Sequence, residues 1–142
     1  MKAKAKTKAK STLKTKTTTT SNSEFTAAHK KLEAILRKYR RGLQSRPDPT
    51  GGFCLVGPPT ETSRGREVWF GAVQTRKNYV SYHLMPVYAF PDLLEGASPE
   101  LKRRMQGKSC FNFKGVDAKL FAELAKLTEK GYQRFKEEKL IR

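Results

Sequence analysis

The short run Arg76-Lys77-Asn78 is the tightest constraint on the fold. On either side of it lie Glu67–Gln74 and Tyr79–Met85, both rich in aromatic and β-branched residues, as extended chain requires. So brief a break predicts a hairpin, and a hairpin fixes the two strands as antiparallel. A third strand is expected over Phe53–Val56, closed by Gly57-Pro58-Pro59. The loop from Pro58 to Gly65 carries no large apolar residue and is expected to be a mobile surface connection. Further on, Ser109–Lys114 alternates strictly, with Phe111 and Phe113 on one side and Cys110 and Asn112 on the other, the signature of a half-buried strand.

Helical periodicity flanks these strands. Phe25, Ala28, Leu32, Ile35, Leu36, Tyr39 and Leu43 share one broad helical face, while Lys30, Arg37, Lys38 and Arg41 project from the other. Ser21 and Glu24 have the spacing of a capping box at its start. The stretch Arg46-Pro47-Asp48-Pro49-Thr50-Gly51-Gly52 stops the helix, because proline lacks the backbone donor and paired glycines favour a turn. Val87–Pro91 is bounded by prolines and predicts no regular element. Ser98, Pro99 and Glu100 supply an N-cap, an N1 proline and an early acid for a short helix running through Met105 and ended by Gly107.

Asp117 opens a final helix in which Leu120, Phe121, Leu124, Leu127, Gly131, Tyr132 and Phe135 fall on one face. Glycine costs a helix about 1 kcal/mol relative to alanine, so Gly131 on the buried face points to a close backbone approach. The resulting order is α-β-β-β-α-β-α. It predicts an α+β domain with an antiparallel sheet of about four strands, N- and C-terminal helices and one short helix, the helices packed on one face.

Charge divides the chain into an arm, residues 1–23, and a single domain, residues 24–142. The arm alternates lysine with alanine, threonine or serine and has nothing to bury, so it is expected to be disordered. It holds seven lysines and no acid; of the net +17, the domain keeps 23 cations against 13 acids, or +10. Such an excess favours polyanionic partners, nucleic acid first, through release of condensed counterions. Two cysteines, Cys54 and Cys110, stand 56 positions apart without zinc or redox spacing, which predicts a reducing, cytoplasmic setting. No apolar run has the length of a signal sequence or a membrane span, so no membrane association is expected.

Nucleotide-loop, dinucleotide and hydrolase-elbow motifs do not occur, and the chain therefore reads as a non-enzymatic binding module. The segments Trp69–Val73, Arg76–Tyr88 and Gly107–Lys114 resemble, in order, the YdhG-like family of small domains of unknown function, over roughly Phe25 to Phe135. The resemblance implies helices against an antiparallel sheet, similar in outline to frataxin. No cofactor is expected from the residues themselves; one branch of that family is described as a frataxin-like iron chaperone, so the resemblance brings in iron, with iron delivery or small-ligand carriage the alternative function. Iron sites of that kind need clustered carboxylates, whereas the acids here are scattered, with Glu137-Glu138 the one adjacent pair.

Two candidate sites follow. Arg76, Lys77, Tyr79, Lys102, Arg103, Arg104, Lys108 and Lys114 combine cations for phosphates with aromatic residues for bases, also counting Tyr82 and Tyr88, and form a candidate polyanion-binding surface. The alternation that buries Val80, Tyr82 and Leu84 turns Tyr79, Ser81 and His83 the other way. If that strand neighbours Ser109–Lys114, then Tyr79, Ser81, His83, Cys110 and Asn112 form a candidate ligand patch.

Overall fold

The computed structural model describes residues 23–48 and 52–141. The greater part of the lysine arm, Ser21 of the capping box and Pro49-Thr50-Gly51 lie outside the described residues. Helix α1 covers residues 23–37, and the chain then turns through residues 38–42 into the sheet. Strands β1 (Gln44–Pro47), β2 (Phe53–Gly57), β3 (Val68–Thr75) and β4 (Val80–Leu84) follow as a meander. After β4 come α2 (Met85–Ala89), a 3-10 turn (Pro91–Gly96) and α3 (Pro99–Arg103), then β5 (Met105–Gln106), β6 (Cys110–Phe113) and α4 (Ala118–Glu137). All neighbouring strands are antiparallel, in the order β1-β2-β3-β4-β6-β5.

The α+β class and the terminal helices are as the sequence predicts, but the sheet has six strands rather than about four. The first addition, β1, takes in Arg46 and Pro47 of the expected turn. It lies at the edge of the sheet, where strand pairing is needed on one side only and Pro47 is tolerated. The second addition, β5, ends the short helix early: Arg104 closes α3 by donating its amide to Leu101, and Met105-Gln106 then pair with Phe111 and Cys110. Gly107, at φ +77°, makes the return turn in the left-handed region that glycine enters most readily.

Between β4 and α3 the prolines start elements rather than prevent them. Pro86 and Pro91 each occupy the first turn of α2 or of the 3-10 turn, where a missing amide donor costs nothing. Two expected caps form: Ser98 Oγ accepts from Leu101 N at 3.2 Å, and Asp117 Oδ1 accepts from Leu120 N at 3.1 Å. The connection over residues 58–65 carries its own hydrogen bonds, with Thr60 N donating to Ser63 Oγ at 2.9 Å and Ser63 N to Thr60 Oγ1 at 3.1 Å.

The main core lies between one face of the sheet and the helices. Leu55, Val73, Tyr82, Leu84, Phe111 and Phe113 meet Leu32 and Leu36 of α1, Val87 of α2, Leu101 of α3, and Leu124 and Phe135 of α4. Thr128, fully buried in α4, donates to the Leu124 carbonyl at 2.7 Å, so its oxygen accepts from the Tyr82 hydroxyl 2.6 Å away. Burial outweighs that bond and pushes the Tyr82 pKa upward. A separate buried group, Cys54, Val56 and Ala72, belongs to the opposite face and includes no helical residue. That second face is where the polar candidates gather.

Candidate binding face

Register assembles the site. One row runs across all six strands: Arg46 pairs with Cys54, Cys54 with Ala72, Ala72 with His83, His83 with Cys110, and Cys110 with Gln106. Side chains of directly paired residues project from the same face, so these six stand in line away from the helices. A parallel row contains Gln74, Ser81 and Asn112. Ser81, His83, Cys110 and Asn112 of the candidate ligand patch are thus cross-strand neighbours, while Tyr79 stands half-buried just before β4.

A β-bulge adds Trp69 to this face. Leu55 pairs with Gly71 but Val56 with Trp69, so Phe70 is the extra residue of the step. The bulge lets Phe70 and Gly71 both serve the core. Phe70 is fully buried, and a Cβ on Gly71 would come within 2.8 Å of the Leu36 side chain. Trp69 is turned out, 49% exposed, beside Val56. Its ring meets His83 edge-on at a centroid distance of 6.3 Å.

His83 is the hub of the polar row. Its Nδ1 stands 3.0 Å from Cys110 Sγ and 3.4 Å from Ser109 Oγ. Partial burial against Trp69 and β6 lowers its pKa, because the charged imidazolium loses solvation there. Cys54, on the same row, is buried, and burial raises its thiol pKa, with Asp48 contributing in the same direction. At the β1 edge the Arg46 guanidinium pairs with Glu67, and Gln74 Nε2 donates to Asp48 Oδ2 at 2.8 Å.

The eight polyanion candidates fall into three groups, one at each end of the sheet and one on and just after α3. Arg76 and Lys77 occupy the β3–β4 turn, and Lys114 directly follows β6; Thr75, Val80 and Phe113 are register partners, so these three cations and Tyr79 cluster at one end. Lys102 and Arg103 are exposed on α3, and Arg104, which caps it, is exposed directly after. Arg103 and Arg104 line a cleft of about 360 Å³ with Lys119, but also with Glu100 and Asp117. Lys108 lies in the β5–β6 turn at the other end, its Nζ 6.0 Å above the exposed Tyr88 ring.

No family model, no curated protein and no solved structure matches this chain. Its chemistry must therefore be read from the residues themselves. For iron they fit poorly: among the described residues no three of His, Cys, Asp and Glu gather in positions that could hold a metal ion. His83 and Cys110 supply one nitrogen and one sulfur, a pair better suited to softer metals than to iron delivered through oxygen ligands. No helix among the described residues is long and apolar enough to cross a membrane.

Sequence reasoning missed Trp69, Ala72 and Cys54 as members of the face. The adjacent pair Trp69-Phe70 carried a signal, because on a regular strand one of two neighbouring aromatics must leave the core. Which one leaves depends on the bulge, and the bulge depends on the partner strand.

Proposed function

We propose that this protein is a non-enzymatic, cytoplasmic binding module of the YdhG-like type whose sheet face opposite the helices holds single-stranded nucleic acid. The observation that carries the reading is Trp69, the sole tryptophan, half exposed on the sheet of a domain with net charge +10. A base stacks on such a ring whatever its identity, and Gln74, Ser81 and Asn112 offer hydrogen bonds alongside. Arg76, Lys77 and Lys114 at one end and Lys108 at the other supply the positive charge that this reading requires for backbone phosphates. The arm lysines add long-range attraction without sequence preference.

The same tryptophan supplies the test. Oligothymidylate titrated into the full chain at low salt quenches Trp69 emission, and the affinity falls as salt rises. Heparin separates the terms, because it shares the charge but has no base to stack. Equal quenching by heparin removes the stacking role of the face, and the absence of any oligonucleotide binding at low salt overturns the reading altogether.

A further inference from the structure

We propose that Cys110 is a modification site, at which its thiol exchanges with an acidic low-molecular-weight disulfide while His83 acts as the base. The inference stands on geometry and is independent of nucleic-acid binding. Cys110 Sγ lies 3.0 Å from His83 Nδ1, within proton-transfer reach of an imidazole nitrogen. The thiol is partly exposed on the sheet face that no helix among the described residues covers. Lys108, two residues earlier and exposed with its Nζ over the Tyr88 ring, adds to the positive field of the domain, which favours a disulfide bearing carboxylates.

Cys54 provides the contrast within the same molecule. It occupies the same row, yet it is only 5% exposed and has Arg46 and Ala72, not an imidazole, as its paired neighbours. The lowered pKa of His83 keeps its imidazole neutral at neutral pH, in the form that accepts a proton. The raised pKa of Cys54 withholds the thiolate that would attack.

The step balances without a further reactant. The Cys110 thiol proton passes to His83 Nδ1 as the sulfur attacks one sulfur of the disulfide RSSR. A bond forms between Cys110 Sγ and that sulfur, the original S–S bond breaks, and the other half leaves as RS⁻, which recovers the proton from His83. Cys110 is oxidised and the departing half is reduced, so protein-SH and RSSR become protein-SSR and RSH.

The adduct has no resolving partner within the chain. Strands β2 and β6 are separated by β3 and β4, and three strand spacings place Cys54 about 14 Å from Cys110. A disulfide requires Cα atoms closer than about 7 Å, so the mixed disulfide persists until an external thiol removes it.

The test uses the reduced full chain and glutathione disulfide at neutral pH, followed by intact mass and peptide mapping. One glutathionyl group is expected, on Cys110, with Cys54 unmodified until the protein is unfolded in urea. His83→Gln should slow the reaction at least about tenfold, since a positioned general base contributes on the order of 100-fold or more. Cys54 doubles as a fold reporter: its continued protection in His83→Gln shows that the domain is intact, and His83→Asn replaces that variant if the protection is lost. Equal reactivity of Cys110 and Cys54 in the folded protein overturns the site. An unchanged Cys110 rate in a folded His83 variant overturns the role of the base.

Discussion

Gly131 of α4 is pressed against Pro86 of α2 so closely that a Cβ at residue 131 would stand 2.7 Å from the proline Cβ and 2.9 Å from its Cγ. Because Pro86 is buried and its ring is stiff, neither side can yield by rotating a flexible tip. Gly131→Ala gains about 1 kcal/mol of helix propensity but overpacks this contact, and overpacking of a dense core costs about 1–3 kcal/mol. A net loss of stability is expected in urea denaturation. A gain would mean that α2 is free to move away from α4.

Tyr82 and Thr128 form the polar centre of the core, and they should respond unequally to truncation. Tyr82→Phe removes one donor while Thr128 keeps its bond to the Leu124 carbonyl, so the expected cost is about 1 kcal/mol. Thr128→Val leaves the Tyr82 hydroxyl buried with no acceptor, a penalty of about 1–3 kcal/mol. Urea midpoints measured with unchanged m-values should rank Thr128→Val as the more damaging.

These contacts show what the sequence could and could not disclose. Gly131 announced a close approach, because a glycine on an apolar helical face has no local reason to be there; the identity of Pro86 as its neighbour belongs to the tertiary fold. Ser98 and Asp117 were legible because capping is a local bond. The shared face of His83 and Cys110 followed from alternation once β4 and β6 were neighbours. By contrast, β1 and β5 have four and two residues, too few to display a period, and both exist through their partners. Likewise, spacing along the chain could not show that Lys108 and Lys114 stand at opposite ends of the sheet, with β6 between them.

His83 makes stability depend on pH in a defined direction. Its pKa is lowered in the folded state, so as pH falls through the ordinary imidazole range the unfolded chain takes up the proton first. The contribution is complete above that range and is lost progressively as the pH drops toward the folded-state value. Thermal melts of the wild type and His83→Gln between pH 8 and pH 5 should therefore diverge, the wild type losing more Tm on acidification. Parallel curves would show that the imidazole is as well solvated in the folded protein as in the unfolded chain.

The binding face and the lysine arm should separate cleanly when affinity is measured against salt. Trp69→Ala removes a stacking platform, and base–aromatic stacking is worth about 1–3 kcal/mol per base, so affinity for labelled oligothymidylate should fall by that amount. The slope of log affinity against log salt should stay the same, because no phosphate contact is lost. Deleting residues 1–22 takes away seven lysines and leaves Trp69 in place. There the slope should become shallower while the quenching at saturation persists. Binding should weaken rather than vanish, since the remaining chain still carries net positive charge. Anisotropy of the labelled oligonucleotide from low to physiological salt reads both effects. If the Trp69 variant alters the slope, or the arm deletion abolishes quenching at saturation, stacking and charge are not the separate terms that this face implies.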